Sequence, residues 1–275
     1  MNRTAHHQYG AKQIGLSIIE LMIALALSSF LILGITQIYI DNKKNYIHQQ
    51  NQANNQENSR FLVMIVDSYL NKTGYRRAPF QLQEDAFKKI PESTDCEEFQ
   101  KEASITKAKG GLGICIRYQP LVSQELDCTG QQTPAFDDSK AYSITNNAIV
   151  MTLRYKPNAN LEGTLECKVG DESAELLKGI ADFRMEFAIG TTLDKKVDAI
   201  IPADTWTTAD GNILQVRYSA LMSSGVNQRS SDDSAALDMW KKDASAAEIT
   251  RLSAADKKYL YQLASSTVAM RNLMP

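Results

Sequence analysis

Residues 16–40 read LSIIELMIALALSSFLILGITQIYI, and residues 1–15, MNRTAHHQYGAKQIG, lead into them. The apolar stretch carries a single charge, Glu20. About 20 apolar residues are enough for a helix to cross a bilayer, so this one can span. The leader holds Arg3 and Lys12 and no acid, which places it on the cytoplasmic side and the bulk of the chain outside. Three readings of the boundary compete. A cleaved secretory signal would use Ala24-Leu25-Ala26 as its small-x-small site. That cut would leave LSSFLILGITQIYI as an apolar new end, and it would put Glu20 inside the apolar core of the signal. A plain membrane anchor accounts for the length but not for Glu20. A carboxylate deep in lipid costs about 2.5–3.5 kcal/mol on insertion scales and calls for a partner. The third reading takes Gly15, the short basic leader and Glu20 as parts of one signal.

That reading rests on residues 15–21, GLSIIEL. They resemble the class III signal of type IV prepilins and of type II secretion pseudopilins. The resemblance implies that a membrane aspartyl peptidase cuts between Gly15 and Leu16 and methylates the new N-terminal Leu16. It also implies that Glu20 pairs with the N-terminal amine of a neighbouring subunit. The physics of such a pair is favourable. Amine and carboxylate are each costly alone in lipid, and pairing between subunits relieves both. The pair would also fix the axial register of one helix on the next, as a buried polar residue does in a coiled coil. The family often has Phe at the mature first position; Leu16 replaces one apolar residue with another.

Composition narrows the alternatives. The chain has 275 residues, 30 Lys+Arg and 32 Asp+Glu, for a formal net charge of −2. That balance excludes a polybasic nucleic-acid binder. Apolar residues at 43% and aromatics at 8% exclude a globally disordered chain. The three histidines, His6, His7 and His48, all lie in the first fifth. Further along, imidazole-based triads and His-rich metal sites are therefore excluded. Cys96, Cys115, Cys128 and Cys167 contain no CxxC pair, so two disulfides in an oxidising compartment are expected. Spacing leaves all three pairings open.

The helix is expected to continue past the apolar stretch. Residues 41–58 are rich in Asn, Gln and Lys, whereas FLVMIV at 61–66 with Tyr69 and Leu70 provides a thicker apolar face. Gly74 is a natural helix end. The expected organisation is a cleaved leader at 1–15, a helix at 16–73 and a β-rich extracytoplasmic head at 74–275. Within the helix, 16–40 is transmembrane and 41–73 amphipathic. Strands are predicted at 113–118, 148–155, 164–169, 183–187, 213–218 and 266–270, several with apolar/polar alternation. Residues 230–236 read as a polar loop, and 241–261 as a helix or helical loop. The fold class is α+β: a long N-terminal helix packed on an antiparallel, sheet-rich head with disulfides.

No phosphate loop is present, since Gly110-Gly111-Leu112-Gly113 is too short and lacks the lysine. The basic doublets Arg76-Arg77, Lys88-Lys89, Lys195-Lys196, Lys241-Lys242 and Lys257-Lys258 are scattered and read as solvated surface. Asp137-Asp138 and Asp232-Asp233 lack EF-hand spacing and read as polar loops. No catalytic residue, metal site or cofactor is expected.

The head carries a second resemblance. GICIRY at 113–118, DCTG at 127–130, LEC at 165–167, LKGIADF at 177–183 and VAMRN at 268–272 resemble the minor pilin subfamily PilW. That pattern implies Cys128 paired with Cys167, leaving Cys96 with Cys115; a Cys115–Cys128 bond is the rival. The resemblance implies a non-enzymatic minor pilin that joins a tip or priming complex and promotes pilus assembly, with twitching motility, adhesion and DNA uptake downstream. Its partners would be other minor pilins, the major pilin, the prepilin peptidase and the inner-membrane assembly platform. It would sit in the inner membrane with its head in the periplasm, then in the pilus. The competing expectations are a type II secretion pseudopilin and a membrane-anchored extracytoplasmic enzyme or binding domain.

Overall fold

The structure, a computed structural model, describes residues 15, 17–145, 148–191 and 196–273. The chain divides into two compact units, up to Gln50 and from Asn51 on. Helix α1 spans Ile18–Lys72. In the first unit its side chains are exposed, apart from the half-buried His48. In the second unit a stripe is buried: Asn55, Ser59, Leu62, Val66 and Leu70. Their spacing of four, three, four and four keeps them on one helix face. Burying each of the three apolar members contributes about 1.5–3 kcal/mol. The stripe starts at Asn55 and so gives the end of the Asn/Gln-rich segment at 41–58 a buried face. Gly74, at φ 73°, ends the run and donates its N–H to the Arg117 carbonyl at 2.9 Å.

The head is built on one antiparallel sheet. Its strands are β1 (Ile105–Lys107), β2 (Gly113–Tyr118), β3 (Ile149–Lys156), β4 (Gly163–Val169), β5 (Glu172–Gly190), β6 (Val197–Pro202), β7 (Asn212–Asn227) and β8 (Tyr259–Ala269). The order is β1-β2-β3-β4-β5-β7-β8, with β6 also pairing β5. β5 is long enough to pair β4 through Ile180 and β6 from Glu186 onward. Between these, Gly179 at φ 84° and a register shift against β7 at Ile180/Asp182 bend the strand.

One sheet face packs on α1, with Ile114, Ile116, Met151, Leu153, Phe183, Met185, Phe187, Val216 and Tyr218 meeting Leu62, Val66 and Leu70. The opposite face is covered in two places. Helices α3 (Ala235–Lys241) and α4 (Ala246–Ala255) close a second cluster around Trp240, Leu252, Leu221 and Ala181. The excursion before β2, which includes the short helix α2 (Gln83–Ala86), closes a third around Phe99, Cys96 and Cys115.

The expected helix at 241–261 is corrected. The helices are α3 and α4, and β8 begins at Tyr259. Ser234 caps α3, so the 230–236 loop stops two residues earlier than expected. Ser245 and Glu248 form the capping box of α4, which sets its start beyond Lys241. The run at 183–187 is one part of the 19-residue β5.

Candidate assembly interface

Gly15 is described and exposed, whereas Leu16, the expected mature N-terminus, lies outside the described residues. Glu20 sits in the first turn of α1, where a carboxylate is favoured by the helix dipole. It is exposed, and among the described residues no hydrogen bond or ion pair engages it. Around it the helix presents Ile18, Ile19, Leu21, Met22 and Ile23, all more than half exposed. An 18-residue window of α1 reaches a mean hydropathy of 2.5 with no residue buried. The helix is thus long and apolar enough to cross a membrane.

The polar side chains of this segment are adapted to an apolar setting. Ser29 Oγ donates to the Leu25 carbonyl at 2.8 Å, and Thr36 Oγ1 to the Ile32 carbonyl at 2.7 Å. Each hydroxyl is thereby satisfied within its own helix. Gln37 Nε2 donates to both carboxylate oxygens of Asp41, at 3.1 and 3.2 Å, where the apolar run gives way to polar sequence. Glu20, the one charged residue of the run at 16–40, has no such partner among the described residues. What the arrangement can do chemically is accept a cationic partner from outside the chain.

In the second unit, α1 is latched to the sheet by polar contacts as well as the apolar stripe. Asp67 accepts from Tyr218 Oη at 2.6 Å and from Ser266 Oγ at 3.0 Å. Burial, followed by the hydrogen bond to Asp67, pushes the Tyr218 phenol well above its usual value. Asn55 Nδ2 donates to the Leu260 carbonyl at 3.0 Å. Asn272 Nδ2 donates to the Asn71 and Thr73 carbonyls. Lys72 pairs with Glu125 at 2.6 Å. Asp67 was not singled out from the sequence, although a lone acid inside FLVMIVDSYL is a readable signal.

Cys96 is bonded to Cys115 and Cys128 to Cys167, with Cα–Cα distances of 5.8 and 6.2 Å. The first bond ties the excursion to β2, and the second ties the loop after β2 to β4. The basic doublets do not behave alike. Arg77 is buried and spends its guanidinium on the carbonyls of Leu121, Asp138 and Lys140 and on Ser143 Oγ. Lys258 pairs with Asp232, and Lys195 lies outside the described residues. Asp137 accepts from the backbone and hydroxyl of Ser139, and Asp138 from the Ser123 N–H. No metal-holding group of three acidic, His or Cys side chains occurs among the described residues. His48 is half-buried on α1.

Arg117 was also missed. It is 1% exposed and has no carboxylate partner among the described residues. Its guanidinium donates to the carbonyls of Ala103 (2.6 Å), Gln100 (3.0 Å), Phe87 (3.2 Å) and Lys88. The Phe87 and Phe99 rings lie 5.3 and 4.9 Å from it. Burial pushes its pKa down to about 10, so it stays charged at neutral pH.

No curated protein matches the sequence. Among solved structures, a type IV-like pilin from Thermus thermophilus is similar at 13% identity, over 82% of this chain and 97% of that one. Its TM-score is 0.37, too loose a superposition to carry an inference. The family model described as type IV pilus-assembly protein W, PilW, matches residues 141–272. Over residues 141–272, a little under half of its length, the chain is thus similar to the type IV pilus-assembly family PilW.

Proposed function

We propose that this chain is a minor type IV pilin that joins a tip or priming complex with other minor pilins and promotes pilus assembly. The observation that carries this is Glu20. It is a carboxylate in the first turn of an apolar helix, five residues after Gly15, with no partner among the described residues. In lipid such a group is stable only when paired. The N-terminal amine that cleavage after Gly15 would create on an adjacent subunit supplies the pair. Residues 16–40 would anchor the subunit in the inner membrane, head in the periplasm, and then pack in the fibre core. The role is structural: partners are other minor pilins, the major pilin, the prepilin peptidase and the assembly platform.

Glu20→Val tests the reading. The variant should insert in the membrane at normal levels, yet yield few surface pili and be absent from sheared fibres. Normal pilus counts with normal incorporation of the variant would refute the role. Loss of protein secretion in a deletion strain, with pili and twitching intact, would move the protein to a type II secretion system.

A further inference from the structure

The head contains a cavity of about 380 Å³ between two walls, residues 98–105 before and within β1 and residues 206–213 between β6 and β7. Its size lies in the range of small-molecule sites. Both walls are fixed without a ligand. Arg117 holds the first through the Gln100 and Ala103 carbonyls. A buried guanidinium with no carboxylate is costly, and here it serves to set a loop. The second wall is set by Trp206, which is buried edge-on against Phe187 with ring centroids 5.9 Å apart. Its Nε1 donates to the Gly211 carbonyl at 3.3 Å. A capping box between Thr207 and Asp210 shapes the turn between them. Lys107 braces one wall against the other, donating to the Asp204 and Trp206 carbonyls at 3.2 and 3.1 Å.

Three features of the walls point to a ligand. Ser104 lines the cavity and is fully buried, and its hydroxyl has no hydrogen-bond partner among the described residues. Glu102 adopts φ 71°, a strained conformation for a non-glycine residue, held by its N–H on the Phe87 carbonyl at 2.9 Å. Its carboxylate makes no hydrogen bond or ion pair among the described residues. The charges around the cavity also cancel. Lys101 is paired with Glu84 and Glu98 with Lys89, which leaves one cation, Arg76, and one anion, Glu102. A phosphate or polyanion is not favoured by that balance. Leu82, Ile105 and Ile213 supply apolar surface, while Gln83, Gln100 and Asn212 supply amides that both donate and accept.

We propose that this cavity binds a neutral, hydroxyl-rich ring, a single sugar residue. A pyranose has an apolar C–H face for the aliphatic wall and a rim of hydroxyls for the amides and the Glu102 carboxylate. The wall at 98–105 lies outside the span that the PilW family model matches, and the wall at 206–213 lies within it. The proposal does not depend on the assembly role.

The test uses the full chain in a detergent without a sugar headgroup. Methyl glycosides of glucose, galactose, mannose and N-acetylglucosamine are titrated, and the indole N–H of Trp206, one of two tryptophans, is followed by NMR. A glycan array is probed in parallel. Saturable binding of at least one sugar that shifts the Trp206 signal is expected. Asn212→Ala and Glu102→Gln, both at exposed positions, should each weaken it about tenfold with melting unchanged. A free glycoside binding alone identifies a monosaccharide ligand, and array binding identifies the end of a glycan; both support the site. No binding in either arm overturns the proposal. So does binding that leaves Trp206 unshifted or survives both substitutions.

Discussion

Replacing Arg117 with Met removes a guanidinium from a site that is 1% exposed. Four carbonyls then lose the guanidinium: Phe87 and Gln100 keep a backbone N–H, from Glu102 and Ala103, whereas Lys88 and Ala103 lose the one donor recorded among the described residues. A buried acceptor left unsatisfied costs about 1–3 kcal/mol. The two Phe rings lose cation–π contacts worth about 0.5–2 kcal/mol each. Against this, the desolvation cost of a buried charge disappears, and water enters to relieve some carbonyls. The bared acceptors and the lost ring contacts, less the relieved desolvation, put the expected loss at about 2–4 kcal/mol. It is a large share of the roughly 5–15 kcal/mol that holds a typical domain. Arg117→Lys keeps the charge but has three donors and no planar fork, so its loss should be smaller. Urea denaturation followed by tryptophan fluorescence measures the total, and hydrogen exchange at residues 87–103 measures the local effect. A Met variant within about 1 kcal/mol of the parent, with exchange at 87–103 unchanged, would refute the view that Arg117 sets this excursion.

Tyr218→Phe removes the phenol that donates to Asp67 and should cost about 1.5–3 kcal/mol, because the acceptor is charged. In a double-mutant cycle with Asp67→Asn the losses should fall well short of additive; additive losses would show that the helix latch is not one unit. Asp95 gives an acid-stability prediction. Its hydrogen bond to Lys168, with Thr94 and Arg154 adding, outweighs burial and holds its carboxyl below the ordinary 3.8. A carboxyl depressed in the folded state contributes stability that is complete above its unfolded value and fades as pH falls through the folded one. Wild-type melting should therefore keep this contribution from pH 7 to about 5 and lose it below about 4. Asp95→Asn should be less stable at pH 7, with the gap closing in acid; a gap independent of pH would contradict the assignment.

Much of this architecture was legible where local pattern and tertiary role coincide. The apolar run at 16–40 had to be helix whatever surrounds it, because only helix satisfies its own backbone in lipid. GICIRY and IVMTLRY alternate cleanly and became β2 and β3. β5 was only partly legible: its first half, ESAELLKG, carries Glu, Lys and Gly and has weak strand propensity, so pairing with β4 makes it a strand. Tyr259-Leu260-Tyr261 falls within the expected helix or helical loop at 241–261, and it is pairing of β8 with β7 that makes it strand. Asp67 was legible as a lone acid in an apolar helix face, whereas Arg117 was not. In GICIRY it occupies the polar phase of the alternation, and only the distant excursion at 87–103 makes that phase an interior. For the proposed assembly site the signal is entirely local, the seven residues at 15–21. The cavity beside Trp206 is assembled from segments about 100 residues apart and has no local signature.

The central claim is that Gly15, Leu16 and Glu20 form one signal and one assembly site. Intact-mass analysis and N-terminal sequencing of the protein from its native membrane test it most directly. The account predicts a chain that begins at Leu16 and carries one added methyl group. A chain beginning after Ala26, or an uncleaved Met1, would contradict it.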